Sequence, residues 1–259
     1  MQPQVLILHA TGTNRDHDVA QAIQAAGGMP EIVHINQLRR GERRWQDYQM
    51  LVLPGGFSYA DALGAGSLLA MDLSIYFTTE VTQFVSSGKP VIGICNGFQA
   101  LLKSGILPDP LKIGEPRRTT LTFNQEGHFE CRWVTLQPVS QKCIWTHGLQ
   151  QDVRCPVAHG EGNFVVESPE VLDALAANDQ VAFVYSAPDG RPAGGLYPDN
   201  PNGSMGDVAG ICNPSGNVLG LMPHPENHIF PHQYPFKSRQ PLGNGLPLFT
   251  NGIQYARQM

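Results

Sequence analysis

"KPVIGICNGFQALLKSG", Lys89 to Gly105, decides how this chain is read. A short apolar run, Pro90 to Ile94, leads into Gly93-Ile94-Cys95-Asn96-Gly97, and a helical pattern begins at once over Asn96 to Ser104. An apolar run of that length, bounded by turn chemistry, fits a strand buried on both faces. Glycines two before and two after Cys95 permit the sharp strand-to-helix turn that projects a nucleophile in the G-x-S-x-G pattern of serine hydrolases. The free N–H groups and positive dipole end of the helix then point at the sulfur, where they favour a thiolate and can hold an oxyanion. The bland alternative is a packed core cysteine, and the five-residue pattern alone does not choose between the two.

Working outward, "QVLILHA" (Gln4 to Ala10), "EIVHI" (Glu31 to Ile35) and "MLVLPGG" (Met50 to Gly56) predict further buried strands. Between the first two, Val19, Ile23 and Ala26 recur at helical spacing, with Asn14 as candidate cap and Gly27-Gly28 as the stop. Phe77, Val81, Phe84 and Val85 mark one face of another helix, ending at Gly88. Strands and helices alternating at these lengths imply a parallel sheet with helices on both faces. The middle is strand-rich. "TTLTF" and "HFECRWVTL" flank a turn at Asn124 to Gly127, "VAFVYS" is a strand, and Asn213-Pro214-Ser215-Gly216 makes Val208 to Met222 a hairpin. Pro188 to Gly203 and His228 to Gly245, rich in Pro and Gly, are expected as long surface loops, and "LPLFTNGIQYARQ" as a closing helix. No linker or internal repeat interrupts the pattern, so residues 1–259 read as one domain.

The 259 residues are 41% hydrophobic and 15% charged, an ordinary globular balance. With a net charge of -5 and one basic cluster, "LRRGERR" (Leu38 to Arg44), lacking interleaved aromatics, neither nucleic acid nor an anionic membrane is expected as a partner. The five cysteines (Cys95, Cys131, Cys143, Cys155 and Cys212) are odd in number and show no C-x-x-C spacing. That argues against a disulfide framework or a structural metal site and for a reducing cytoplasm. No secretion signal is evident, and no apolar run approaches the roughly 18 residues of a membrane span.

A reactive thiol also needs a base. Of the nine histidines, His9, His17 and His34 are isolated, whereas His224 in "GLMPHPENH" follows a predicted strand and has Glu226 two positions on. In extended chain those two side chains share a side, and Pro225 biases His224 towards that conformation. A carboxylate beside an imidazole selects its tautomer and stabilises the imidazolium, as in a catalytic triad. H-x-E alone is weak. A cysteine and an H-x-E pair that both lie just beyond buried strands form a much stronger pattern.

"GICNGFQ", "MPHPE" and "PGGFSYAD" together resemble class I, triad-type glutamine amidotransferases. "FECRWV", "HGEGNF" and "PNGSMGDVAGICNPSGNVLGLMPHPE" are similar, within that class, to the glutaminase subunits and domains of phosphoribosylformylglycinamidine synthases of purine biosynthesis, and the likeness covers most of the chain. The resemblance implies a flavodoxin-like, doubly wound, mostly parallel α/β sheet with helices on both faces and extra β-hairpins. It implies hydrolysis of L-glutamine to glutamate and ammonia through a thioester on Cys95. His224 would take the thiol proton, protonate departing ammonia and activate water; Glu226 would orient His224. Backbone N–H groups of Asn96 and of the Gly56-Phe57 turn would hold the oxyanion. Gln99, one turn after Cys95, would contact substrate, and His159, Gly160 and Glu161 would help hold its head group. The chain would carry no cofactor or metal. Without a P-loop, ATP and magnesium would belong to a separate synthetase subunit that receives the ammonia, and whether a small third subunit joins them stays open. Rival readings are a glutaminase serving a different synthetase and a catalytically silent regulatory subunit; intact Cys95, His224 and Glu226 argue against silence. The chain departs from the family at Ala60, often Gly, at Gly64, often Arg, and at Arg15, often Cys.

Overall fold

The computed structural model describes residues 1–110, 115–235 and 244–259. The first half of the chain forms β1 (Gln4–His9), β2 (Met29–His34), β3 (Met50–Leu53) and β4 (Val91–Ile94), with α1 (Asp16–Ala25), α2 (Ile35–Arg39), α3 (Ser67–Met71), α4 (Thr78–Ser86) and α5 (Asn96–Ser104). The second half adds β5 (Thr119–Thr122), β6 (Glu130–Pro138), β7 (Val153–His159), β8 (Asn163–Val166), α6 (Pro169–Ala177), β9 (Val181–Ser186), β10 (Val208–Cys212), β11 (Val218–Leu221) and α7 (Leu246–Ala256).

Nine of these strands, among the described residues, make one sheet in the order β2-β1-β3-β4-β11-β10-β9-β6-β7. The first five run parallel; the last four join antiparallel. β3 and β4 are buried at every residue, as strands inside a covered parallel sheet must be. The chain moves from β1 out to β2 on one side and from β3 to β4 on the other. Right-handed crossovers therefore put α1 and α4 on opposite faces. The reversal makes a switch point at the carboxyl ends of β1 and β3, where open α/β sheets bind ligands.

The core runs through Leu6, Ile7, Val52, Ile92 and Ile94 of the sheet to Phe98 and Leu101 of α5. Burying one such side chain contributes about 1.5–3 kcal/mol. The glycines around Cys95 serve close approach. A Cβ at Gly97 would lie 2.0 Å from the Leu53 carbonyl oxygen, and one at Gly93 would lie 2.5 Å from Leu101 and 2.8 Å from the Gly97 backbone. Helix α5 thus starts flush against β3 and β4, and a side chain at either glycine would push it off the sheet.

Several expectations change. Asn14 does not cap α1; Arg15 occupies the cap position, without a side-chain hydrogen bond. β2 starts at Met29 and stops at His34, which caps α2 instead. The strands flanking Asn124 to Gly127 form but do not pair: β5 joins β8 in a separate two-stranded sheet, while β6 sits between β9 and β7. The Val208 to Met222 hairpin is present as β10 and β11. The arginines of Leu38 to Arg44 are each held by a carboxylate, Arg39 by Asp72, Arg40 by Glu42, Arg43 by Glu31 and Arg44 by Asp47. The Pro188 to Gly203 loop ends inward, with Asn200 and Asn202 buried. Of the loop expected over His228 to Gly245, 236–243 lie outside the described residues.

Candidate active site

Cys95 sits at the carboxyl end of β4 with φ 51° and ψ −106°, a strained conformation for a residue with a side chain. Its N–H donates to the Leu221 carbonyl at 2.8 Å, and Gly97 wedges the following helix against β3. The elbow is therefore fixed from both sides. The first helical bond runs from the Gln99 N–H to the Cys95 carbonyl, 3.0 Å, which leaves the Asn96, Gly97 and Phe98 N–H groups outside the ladder. Cys95 is 5% exposed, and its Sγ lies 3.7 Å from the Ala158 carbonyl.

β11 delivers the base. It pairs parallel with β4 in a register that sets Leu221 beside Ile94, so the chain three residues later passes the thiol. His224 and Glu226 do not share an extended segment; Pro225–Asn227 is a 3-10 turn. That turn still brings the His224 Nδ1 to 2.7 Å from Glu226 Oε1. Both residues are buried, and the His224 N–H is anchored on the Pro156 carbonyl at 2.8 Å. Burial alone would push the imidazole down. The Glu226 carboxylate, and then Cys95, outweigh it, and His224 is pushed up to about 10. The site is thus built to hold an imidazolium. Nε2, the nitrogen left for Cys95, makes no aligned hydrogen bond, and neither does Glu226 Oε2. The thiol is near enough to act on the ring electrostatically, but it is turned to Ala158.

The turn after β3 is arranged differently. Gly55 lets the chain pass the ring, since a Cβ there would lie 2.6 Å from His224 Cε1. Gly56 has φ 135° and crosses the loop after β1 so closely that a Cβ would meet the Asn14 nitrogen at 2.6 Å. The Phe57 N–H, expected to face an oxyanion, donates instead to the Gly12 carbonyl at 3.0 Å. Beyond it, Tyr59, Ala60, Asp61 and Leu63 all take left-handed backbone conformations.

A cavity of about 170 Å³ joins Cys95, Gln99, Gly56 and Phe57 to His159, Gly160 and Glu161. Exposed Phe57, Phe123 and Phe129 line it as well, with Phe57 and Phe129 stacked at 6.5 Å. Asp61, Ala65 and Ala158 also line it and were not anticipated; Asp61 lay inside the quoted "PGGFSYAD", so only its role was missed. The Gln99 amide is committed at both ends: Nε2 donates to the Glu161 carbonyl at 2.7 Å, and Oε1 accepts from Asn96 at 3.1 Å. His159 is likewise not free. Its Nδ1 bonds Asn124 at 3.1 Å, and its Nε2 faces the Asn202 amide at 3.5 Å. Burial and the neighbouring His224 push it down to about 4, so it stays neutral. It shapes the site from behind. Among the described residues, no group of three or more His, Cys, Asp or Glu could hold a metal ion.

Residues 2–256 match the CobB/CobQ-like glutamine amidotransferase domain. The fold and the domain match are those of a class I glutamine amidotransferase. Within that class, the chain belongs to the family of phosphoribosylformylglycinamidine synthase PurQ subunits. It is 57% identical to that subunit of Treponema denticola, over 88% of this chain and 89% of the relative. It is 43% identical to that of Dehalococcoides mccartyi, over 99% and 98%. The solved structure of PurLQS from Thermotoga maritima contains a chain similar to this one with TM-score 0.75 and 28% identity, over 98% of this chain and 99% of that one.

Proposed function

We propose that this chain hydrolyses L-glutamine to glutamate and ammonia with Cys95 as nucleophile, His224 as general base and acid, and Glu226 as its orienter. The observation that carries the reading is the 2.7 Å His224–Glu226 contact, delivered by β11 beside the elbow of Cys95. Cys95 has passed its proton to His224 Nε2 before sulfur attacks the amide carbon, and Glu226 stabilises the imidazolium. His224 returns the proton to the leaving nitrogen, so ammonia departs and a thioester remains. Water, deprotonated by His224, then releases glutamate. The Asn96 N–H, free at the start of α5, stabilises the oxyanion of both tetrahedral intermediates, and the turn at Gly56 and Phe57 supplies the second donor once the Phe57 N–H leaves Gly12. Gln99, Gly160 and Glu161 bound the substrate's head group, with His159 behind them.

The ammonia passes to an ATP-dependent phosphoribosylformylglycinamidine synthetase subunit, and a small third subunit joins the pair. The family of this chain and its likeness to a chain of the PurLQS structure support that partnership. On this reading ATP and magnesium act on the partner, this chain carries no cofactor, one domain spans 1–259, and the assembly is cytoplasmic. Among the described residues, no helix is long and apolar enough to cross a membrane. The test uses the complex with its synthetase. Cys95→Ala should abolish product formation from glutamine and leave product formation from ammonium salt intact. Continued use of glutamine by that variant would overturn the assignment.

A further inference from the structure

Gln99 and Lys103 lie four residues apart on α5 and share one face, one and two turns beyond Cys95. Gln99 holds the main chain of Glu161. One turn on, the Lys103 ammonium holds its side chain: Nζ lies 3.7 Å from Glu161 Oε2, 2.5 Å from the Ala65 carbonyl and 3.3 Å from Ser67 Oγ. The same carboxylate accepts the Ala65 N–H at 3.3 Å. Lys103 is largely buried, its side chain 17% exposed, and an ammonium withdrawn from water must satisfy its donors locally. Two hydrogen bonds go to one turn, and the charge is faced by one carboxylate at ion-pair distance. Gly64 leads into this turn with φ 99°, a backbone conformation that favours glycine.

We propose that Lys103 is a positioning residue for glutamine binding, acting through Glu161 and the Ala65-Gly66-Ser67 turn. The proposal rests on the glutaminase reading. If the substrate amide reaches Cys95, its α-ammonium and α-carboxylate lie further along α5, against Glu161, Ala65 and Asp61 of the cavity wall. Glu161 offers the negative charge an ammonium needs, and Lys103 decides where that charge points. Asp61 faces the Gly66 N–H, Asn96, Glu161 and Lys103. Burial pushes its carboxyl up, Glu161 pushes it the same way, and Lys103 opposes both. Without the ammonium, the Ala65 N–H alone would hold the Glu161 carboxylate, and its repulsion with Asp61 would go unopposed.

The experiment is steady-state kinetics of the complex with synthetase. Lys103→Met should raise KM for glutamine on the order of tenfold, the weight of a charge-assisted bond, with kcat within about twofold. Lys103→Arg should restore most of the affinity. Glutaramate, which is glutamine without its α-amino group, should compete with the same inhibition constant in wild type and Lys103→Met. A fall in kcat at unchanged KM, or glutaramate binding that weakens in step with KM, would make Lys103 a mere brace of the fold and overturn the proposal. If the methionine variant fails to assemble, Lys103→Gln, which keeps a donor and loses the charge, carries the same comparison. A wild-type complex that makes no product from glutamine would instead sink the glutaminase reading, and this proposal with it.

Discussion

Two backbone segments border the cavity beside Cys95, and they are prepared to different degrees. On one side, the start of α5 is wedged against β3 and β4 by Gly93 and Gly97, and its first N–H groups are unshared. On the other, the turn at Gly55 to Phe57 spends its Phe57 N–H on the Gly12 carbonyl and runs into four left-handed residues. The first donor set is part of the core and cannot move without unpacking the sheet. The second is tied to the loop after β1 by the Arg15 N–H on Gly55, the Phe57 N–H on Gly12 and the Tyr59 N–H on Thr11, and the Phe57 N–H can turn to the cavity only when its bond to Gly12 breaks. The difference assigns chemistry to the core side and control to the loop side.

The largest expected effects fall on the core side. His224→Ala should lower glutamine-dependent turnover of the complex by about 10³-fold or more, because neither proton transfer then has a carrier. Next comes the loop side. The chain alone should hydrolyse glutamine roughly 10²- to 10³-fold more slowly than the chain with synthetase, its nucleotide and its substrate, the usual worth of one oxyanion donor. Equal rates would erase the comparison. Glu226→Gln should cost about 10²-fold in kcat, less than loss of His224, because the thiol keeps its nucleophilicity and the base its position. A near-normal kcat would remove Glu226 from the mechanism.

Smaller effects concern pH and strain. His224, raised to about 10, stabilises the fold fully below its unfolded value near 6.5, and that contribution is lost as pH rises towards 10. His159, lowered to about 4, does the reverse: it is neutral in both states above about 6.5, and it destabilises increasingly as pH falls from there to 4. Denaturant unfolding of wild type and His159→Gln should therefore diverge in that acid window, with wild type losing up to roughly 3 kcal/mol relative to the variant. Parallel curves would show that His159 is not held neutral. Smallest is Ala60→Gly. Relief of a left-handed alanine, about 1–2 kcal/mol, outweighs the extra unfolded-state freedom of glycine, about 0.4–1 kcal/mol. The variant should melt slightly higher, with glutaminase activity unchanged.

The parallel half of the fold was legible because buried strands write themselves as continuous apolar runs and Gly93 and Gly97 bracket the elbow. The antiparallel flank was less so. β7 carries Arg154 and Pro156, which demote a run to non-strand, yet it is the sheet's outer strand, where a proline is tolerated. α6, only nine residues, begins with Pro169 and was hidden in a strand-rich stretch. At the site, His224 and Glu226 could be paired from spacing, although the turn joining them is helical, not extended. Two things had no local signal. The bond from Phe57 to Gly12 depends on how two loops cross, and the burial of His159 depends on Asn124 and Asn202, far away in sequence. Lys103 did have a signal, its place four residues after Gln99, but only the fold shows what it grips.

The most direct test of the account exploits two cysteines. Cys131 is exposed and Cys95 is 5% exposed, so a reagent guided by access alone would take Cys131. Intact-mass and peptide mapping after treatment with an electrophilic glutamine analogue should find one adduct, on Cys95, suppressed by excess glutamine and absent in Cys95→Ala. An adduct on Cys131, or labelling that persists unchanged in Cys95→Ala, would contradict the claim that the elbow after β4 holds the nucleophile.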